Sequence, residues 1–145
     1  MEETLDIKEL FSNTLGDALD EYELPPPSFT IMQCEIIAFD KEKATLTTKI
    51  PVLKEWLNPY STMQGGMIVA AMDNALGPLS LLIAPKNMTR SIESKLIKAI
   101  TMDVKYIYAT ASLYEAKKRR LIFDVVVKDE EGNLYATARV TNFIL

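Results

Sequence analysis

The sequence predicts an α+β domain in which antiparallel strands pack around one long enclosed helix, with a separate amphipathic helix ahead of it. Three observations predict it. Residues 64–83 are apolar at nearly every position after Gly65-Gly66, broken by the pair Asp73-Asn74 and by Ser80, so the stretch reads as a helix covered by protein on most sides. Strand-like runs lie before and after it, joined in pairs by polar turn signals, which is the pattern of hairpins. Leu24-Pro25-Pro26-Pro27 then sets a helix-spaced N-terminal stretch apart from the rest.

Within 4–22, Leu5, Leu10 or Phe11, Leu15, Leu19 and Tyr22 recur at helical spacing, with Thr4 or Asp6 as the cap. This helix either packs on the domain or moves independently, so residues 1–27 form an arm and connector and 28–145 the domain. Phe29 to Phe39 and Ala44 to Val52 read as strands around a turn at Asp40-Lys41-Glu42-Lys43. Asn58 precedes Pro59 and is therefore held extended or in a turn, where an Asn side chain commonly bonds its own backbone. Beyond the central helix, 85–91 reads as loop. Ser91 to Ile100 reads as loop or short helix, because Ile92, Leu96, Ala99 and Ile100 suit helical spacing. Thr101 to Ala109 is a strand by composition. Leu121 to Val127 and Leu134 to Leu145 form the last hairpin, around Asp129-Glu130-Glu131-Gly132-Asn133.

Composition narrows the chemistry. With 145 residues, 48% hydrophobic and 25% charged, the chain is one domain with a real core. A net charge of −4 argues against a nucleic-acid partner. The single Cys34 allows no intrachain disulfide and no metal cluster, which fits a cytoplasmic setting. The acidic N-terminus has neither the basic start nor the apolar core of a signal peptide. The apolar run from Met67 to Pro85 approaches the length of a membrane span but is interrupted by Asp73, Asn74, Gly77 and Pro78, so no membrane is expected. The histidine count is zero, which excludes Ser-His-Asp and Cys-His mechanisms and His-liganded zinc. Proton transfer must use carboxylate, Tyr, Lys or water.

Asp73 is the first candidate for chemistry, because a charge inside such a run costs several kcal/mol unless it is paired, protonated or used. Gly65 and Gly66 are the second. The first N–H groups of a helix have no intrahelical partner and carry the positive end of the dipole, so these two could present bare donors to a developing oxyanion and let a ligand approach closely. At a rise of about 1.5 Å per residue, Gly65 and Asp73 lie about 12 Å apart along one helix. Both would need to sit about 3 Å from one carbonyl, which one chain cannot easily arrange but two helices of a symmetric dimer can. Two other readings stand beside this one: Gly65-Gly66 as a plain turn, and Asp73 as the partner of a lysine or the cap of the segment beyond Pro78.

The order Asn58, Gln64-Gly65-Gly66, Asp73, with a helix between, resembles the acyl-CoA thioesterases of the hotdog fold, in particular the phenylacetyl-CoA and 4-hydroxybenzoyl-CoA type. Their motif runs Asn, five residues, His-Gly-Gly, six residues, Asp, and the spacing here matches throughout. The resemblance extends from about residue 28 to the C-terminus, and it implies an antiparallel sheet wrapped around the central helix, an acyl-CoA substrate, and assembly as a homodimer or dimer of dimers, a homotetramer. It places Asn58 near the thioester or the attacking water, and it aligns Thr101 with a position that often holds Ser or Thr within reach of the catalytic carboxylate or water. It requires no metal and no cofactor beyond the coenzyme A of the substrate. One position departs from the pattern, since Gln64 stands where the family has His.

The same comparison leaves the chain about ten residues short between Ala109 and Ser112, judged against usual strand and loop lengths, so either a truncated strand or a missing stretch is expected there. Lys117-Lys118-Arg119-Arg120 is a solvated hairpin tip or a partner for the phosphates of coenzyme A. Met72, with Met63, Met67, Met88 and Met102, either lines an adaptable acyl pocket or fills the core. The reaction expected is thioester hydrolysis, with Gly65 N–H polarising the carbonyl, Asp73 as base or nucleophile, and Gln64 and Asn58 positioning water or the carbonyl oxygen. An acyl-CoA binding or sensing protein on the same fold is the competing expectation, and a dimerisation module using the 4–22 helix a third.

Overall fold

The computed structural model describes residues 2–145. Its elements are α1 (Ile7–Leu15), α2 (Pro27–Ile31), β1 (Glu35–Asp40), β2 (Thr45–Pro51), α3 (Gly65–Ile83), β3 (Asn87–Leu96), β4 (Tyr106–Lys117), β5 (Arg120–Lys128) and β6 (Leu134–Ile144), with short 3-10 turns at Gly16–Glu21, Lys54–Trp56 and Met102–Val104. All six strands form one antiparallel sheet in the order β1-β2-β4-β5-β6-β3. The expected α+β architecture is therefore present, with α3 lying on one sheet face.

Alternation along the strands creates that face. Leu46, Thr48 and Ile50 of β2, Ile107, Ala109 and Ala111 of β4, Phe123, Val125 and Val127 of β5 and Ala136, Ala138 and Val140 of β6 are all buried. Against them α3 turns Ile68, Ala71, Met72, Ala75, Leu76, Leu79 and Leu82, spaced by three and four as one helix face requires. Alanines on both sides let helix and sheet approach closely. Over its most apolar 18-residue window α3 has a mean hydropathy of 1.5, enough by length and composition to cross a membrane, yet 50% of that window is buried inside this fold.

The N-terminal region differs from expectation in detail. Asp6 caps α1 by accepting from the N–H groups of Lys8 and Glu9 at 2.9 and 3.2 Å, and the helix stops at Gly16, whose φ of 53° is the left-handed conformation glycine adopts freely. Residues 4–22 are thus one α-helix followed by a 3-10 turn. Phe11 is 1% exposed and belongs to the core, so the arm packs on the domain. The expected strand from Phe29 divides into α2 and β1: Pro27, with its fixed φ, starts a helical turn, and the chain reverses at Gln33 (φ 55°) before β1.

Three further expectations are corrected beyond α3. The stretch expected as loop and then as loop or short helix is β3, a ten-residue edge strand. Ile92 and Leu96 mislead because a spacing of four residues puts side chains on one side of either a helix or a strand. The strand expected at Thr101 to Ala109 begins only at Tyr106, after the 3-10 turn and Lys105 at φ 68°. Among the described residues no strand is truncated near Ala109 to Ser112. There β4 runs unbroken for 12 residues, pairs with β2 and β5, and turns through Lys118-Arg119 with Lys118 at φ 56°. The basic run is thus a hairpin tip, turned without the glycine that a sequence search looks for.

Candidate active site

The start of α3 is delivered by the loop from Trp56 to Gln64. Asn58 shapes that loop: its Oδ1 accepts from the N–H groups of Tyr60 and Thr62 at 2.9 and 3.1 Å, and its Nδ2 donates to Thr62 Oγ1 at 2.9 Å. Its main chain closes the same turn through Thr62 and Ser61, and Ser61 takes φ 62°. The carboxamide is therefore committed to its own loop, with one N–H left. Thr101 lies across a β-bridge from Thr62, and Ile100 C=O accepts from Met63 N–H at 2.7 Å. The structure thus sets Thr101 beside the loop that precedes α3.

Gln64 is the N-cap residue of α3. Its backbone carbonyl accepts from Met67 and Ile68, while its exposed side chain makes no capping bond. The N–H groups of Gly65 and Gly66 have no hydrogen-bond partner among the described residues, so the two positive-end donors of the helix remain unclaimed. The two glycines differ in surroundings. A Cβ on Gly65 would meet Leu96 Cδ1 at 2.8 Å, whereas one on Gly66 would meet nothing within 4 Å.

Asp73 and Asn74, the polar pair of this helix, have separate tasks. Asn74 exchanges hydrogen bonds with Ser28, donating to its carbonyl at 3.3 Å and accepting from its Oγ at 3.2 Å, and so fastens α2 to α3. Asp73 is half-buried and accepts from Thr89 Oγ1 of β3 at 3.0 Å. No lysine or arginine lies within salt-bridge distance of it among the described residues, where ion pairs join Lys49 to Glu2 and Arg139 to Asp124. Asp73 is thus neither a lysine's partner nor a cap. Thr89, the hydroxyl that holds it, was not singled out in the sequence, since a Thr in an edge strand carries no local signal.

Asp73 opens on a cavity of about 230 Å³. Apolar groups of the N-terminal arm, among them Ile7, Phe11 and Leu24, form one side, and Asp73, Asn87, Thr89 and Asn142 contribute polar groups on the other. Met72 is fully buried and belongs to the core. Cys34 lies elsewhere, buried, with its thiol pushed by desolvation up to about 12, so it supplies no nucleophile near neutral pH. Among the described residues no group of three or more Cys, Asp or Glu is placed to hold a metal ion.

Comparison of the sequence with protein-family models and with curated proteins finds no match. Solved structures do match. A putative thioesterase, a phenylacetic acid degradation-related protein from Ralstonia eutropha JMP134, superposes with a TM-score of 0.80 at 20% identity, covering 93% of this chain and 98% of that one. The E. coli PaaI protein from the phenylacetic acid degradation operon gives a TM-score of 0.74 at 14% identity, covering 80% and 86%. A hypothetical thioesterase from Streptococcus pneumoniae, solved with coenzyme A, gives 0.71 at 18%, covering 77% and 85%. The chain therefore has the hotdog fold, which it shares with these three structures.

Proposed function

We propose that this chain is an acyl-CoA thioesterase, active as a homodimer or dimer of dimers and working in the cytoplasm. The observation that carries the reading is the environment of Asp73: a half-buried carboxylate with no cationic partner among the described residues, held by one hydroxyl and open to a cavity, on the helix whose first two amides are unclaimed. A carboxylate with a purely structural task would be expected to show a cation or a full set of donors. The fold shared with two proteins named as thioesterases, one of them holding coenzyme A, supports the choice of substrate.

Gly65 N–H, assisted by Gly66, polarises the thioester carbonyl. Asp73 of the partner subunit takes a proton from water as its oxygen bonds to the carbonyl carbon, and when the C–S bond breaks that proton passes to the coenzyme A thiolate. If Asp73 instead attacks the carbon itself, C–S cleavage leaves an acyl anhydride on Asp73, and water then cleaves it, giving the free acid, the restored carboxylate and the proton for the thiolate. The free Gln64 side chain positions water or the carbonyl oxygen. Asn58 acts mainly by holding the loop, and its one uncommitted N–H is the group it could offer to the substrate.

The edge strand supports a shared site. Along β3, Thr89 stands beside Asp73 and Leu96 beside Gly65, so β3 spans both ends of the chemistry, and its outer backbone edge has no partner in this chain. A long bare edge invites pairing. Antiparallel pairing of two such edges brings the Leu96 end of one copy toward the Thr89 end of the other, which is the exchange that the 12 Å separation estimated along α3 demands. The replacement of the family's His by Gln64, and the commitment of Asn58 to its own turn, favour a second reading, an acyl-CoA binder without turnover. Free-thiol release from a panel of acyl-CoA thioesters decides between them. Hydrolysis that Asp73→Asn removes supports the enzyme, and tight binding without hydrolysis supports the binder.

A further inference from the structure

The hairpin between β4 and β5 carries a charge that the fold does not use. Lys117, Lys118, Arg119 and Arg120 follow one another there and are all exposed. Arg90 of β3 reaches the same corner, its guanidinium 5.9 Å from the centre of the Phe143 ring. In a chain of net charge −4, none of these five cations is in an ion pair among the described residues, where the pairs are Lys49–Glu2 and Arg139–Asp124. Like charges this close repel one another, so an anion placed among them is favoured. Arg119 is already oriented: its Nε and Nη2 donate to the Ile144 carbonyl at 3.1 and 2.9 Å, and the other N–H bonds of its guanidinium remain for a ligand.

Strand register sets an apolar floor beside these charges. Lys117 stands opposite Arg120, Arg120 opposite Phe143, and Phe143 opposite Met88. Directly opposed residues share a face, so the four form one row across the sheet, on the side turned away from α3. Phe143 and Met88 are 38% and 55% exposed in that row. Phe143 and the four hairpin residues line one open groove, whose walls are the aromatic ring and the methylene stems of the long cationic side chains. A lone phosphate would use the charges and leave the ring idle. A flat base joined to phosphates uses both, stacking on the ring while the guanidinium and ammonium groups hold the oxygens. A nucleic-acid strand needs a longer basic track than one corner of an acidic chain provides.

We propose that this corner binds the adenine nucleotide end of coenzyme A, with the base against Phe143 and the phosphates among Arg90 and the four cations of the hairpin. The inference rests on the thioesterase reading for the identity of the ligand. Reach is consistent with it. Arg120 lies two strands, about 10 Å, from Met88, and Met88 precedes Thr89, which holds Asp73. The pantetheine arm between thioester and phosphates spans about 16 Å when extended, comparable with five residues of extended chain. Thr89 faces α3 and Phe143 faces away from it, one row apart near the end of the sheet, so the arm rounds the strand ends. The nucleotide site and the carboxylate then belong to one subunit and the oxyanion amides to the other.

The test compares hexanoyl-CoA with the hexanoyl thioester of N-acetylcysteamine, which keeps the reacting group and lacks the nucleotide. In the double variant Lys117→Glu/Arg120→Glu the ratio of kcat/KM for the first over the second, read by thiol release, should fall roughly tenfold at low ionic strength, through KM. The difference should fade toward 1 M salt, where the screening length is about 3 Å. An unchanged ratio overturns the inference and leaves the thioesterase reading standing. Arg90→Gln, on another strand, should move the same ratio in the same direction, and it decides if the double variant fails to fold. Calorimetric titration of the wild-type chain with adenosine 3′,5′-bisphosphate tests the site without turnover: binding that charge reversal removes supports it, and no binding overturns it even where both thioesters are hydrolysed. If the wild-type chain hydrolyses neither, the thioesterase reading falls and this titration decides for the nucleotide site alone. Phe143→Leu should weaken the bisphosphate severalfold more than inorganic pyrophosphate, and equal losses overturn the placement of the base.

Discussion

Gly66→Ala separates what the helix start does for the fold from what it does for chemistry. Gly66 is exposed in the first turn of α3, and a methyl group there has no neighbour within 4 Å. Replacing a helical glycine by alanine gains about 0.5–1 kcal/mol, chiefly by restricting the unfolded chain. For a chain of this size that raises the thermal midpoint by about 2–4 °C. Within one chain, therefore, the substitution should be harmless or stabilising. A thioester drawn onto the Gly65 and Gly66 amides meets that methyl group, and turnover should fall at least about tenfold, since loss of a single oxyanion donor costs a hundredfold or more. Differential scanning fluorimetry and thiol release on the same preparation give both numbers. A raised midpoint with unchanged turnover would refute the reasoning, because it would mean that no ligand approaches the helix start. Gly65→Ala is the less clean partner experiment, since its Cβ displaces Leu96 Cδ1 from 2.8 Å.

Asp73→Asn should abolish hydrolysis with little loss of stability, because Thr89 Oγ1 can still donate to the amide oxygen that replaces the carboxylate. Gln64→Ala should reduce turnover less, and the reverse order in a thiol-release assay would mean that the two roles are exchanged. Mixing Asp73→Asn chains with Gly65→Trp chains should restore about a quarter of wild-type activity, since half of randomly formed dimers are hybrids with one intact site. No recovery, with hybrids confirmed by native mass spectrometry, counts against a site shared between subunits. Asn58→Ala removes three side-chain hydrogen bonds from the loop and should lower the thermal midpoint by about 5–15 °C. Asn58→Asp keeps the two accepted bonds and should recover most of that, so a variant that is stable yet inactive would show that the missing N–H contacts the substrate.

What the sequence made legible was whatever repeats within a few residues. The enclosed helix, the β1–β2 and β5–β6 hairpins and the cap at Asp6 are local patterns, and the structure contains them. Asp73 stood out because a lone carboxylate in an apolar helix violates the pattern around it. The edge strand β3 was not legible. Its Ile92–Leu96 spacing fits a helix and a strand equally, and its polar outer residues remove the alternation that would have marked it. The continuous β4 was misread for a related reason, since its turn at Lys118 uses a left-handed lysine in place of glycine. Thr89 was invisible because its importance comes from long-range register, which one strand does not announce. The arm's contribution to the cavity was hidden likewise: Phe11 reads as one apolar face residue until α3 is placed beneath it.

The adjacent polar residues of α3 give the site its coherence. Successive residues on a helix point about 100° apart, so Asp73 and Asn74 cannot serve the same neighbour. Asn74 reaches Ser28 and fixes α2, and with it the chain that leads back to Leu24 and Phe11. Asp73 reaches Thr89 and fixes the edge strand. The cavity lies in the angle between these two directions, with walls from the arm on one side and from β3 and β6 on the other. One step along one helix therefore sets the spacing between the carboxylate and the apolar wall. Asn74→Ala should loosen the arm without touching Asp73: its expected signature is weakened discrimination between acyl chains, with the maximal rate on short substrates kept. Loss of rate with discrimination intact would show that Asn74 supports the carboxylate and not the wall.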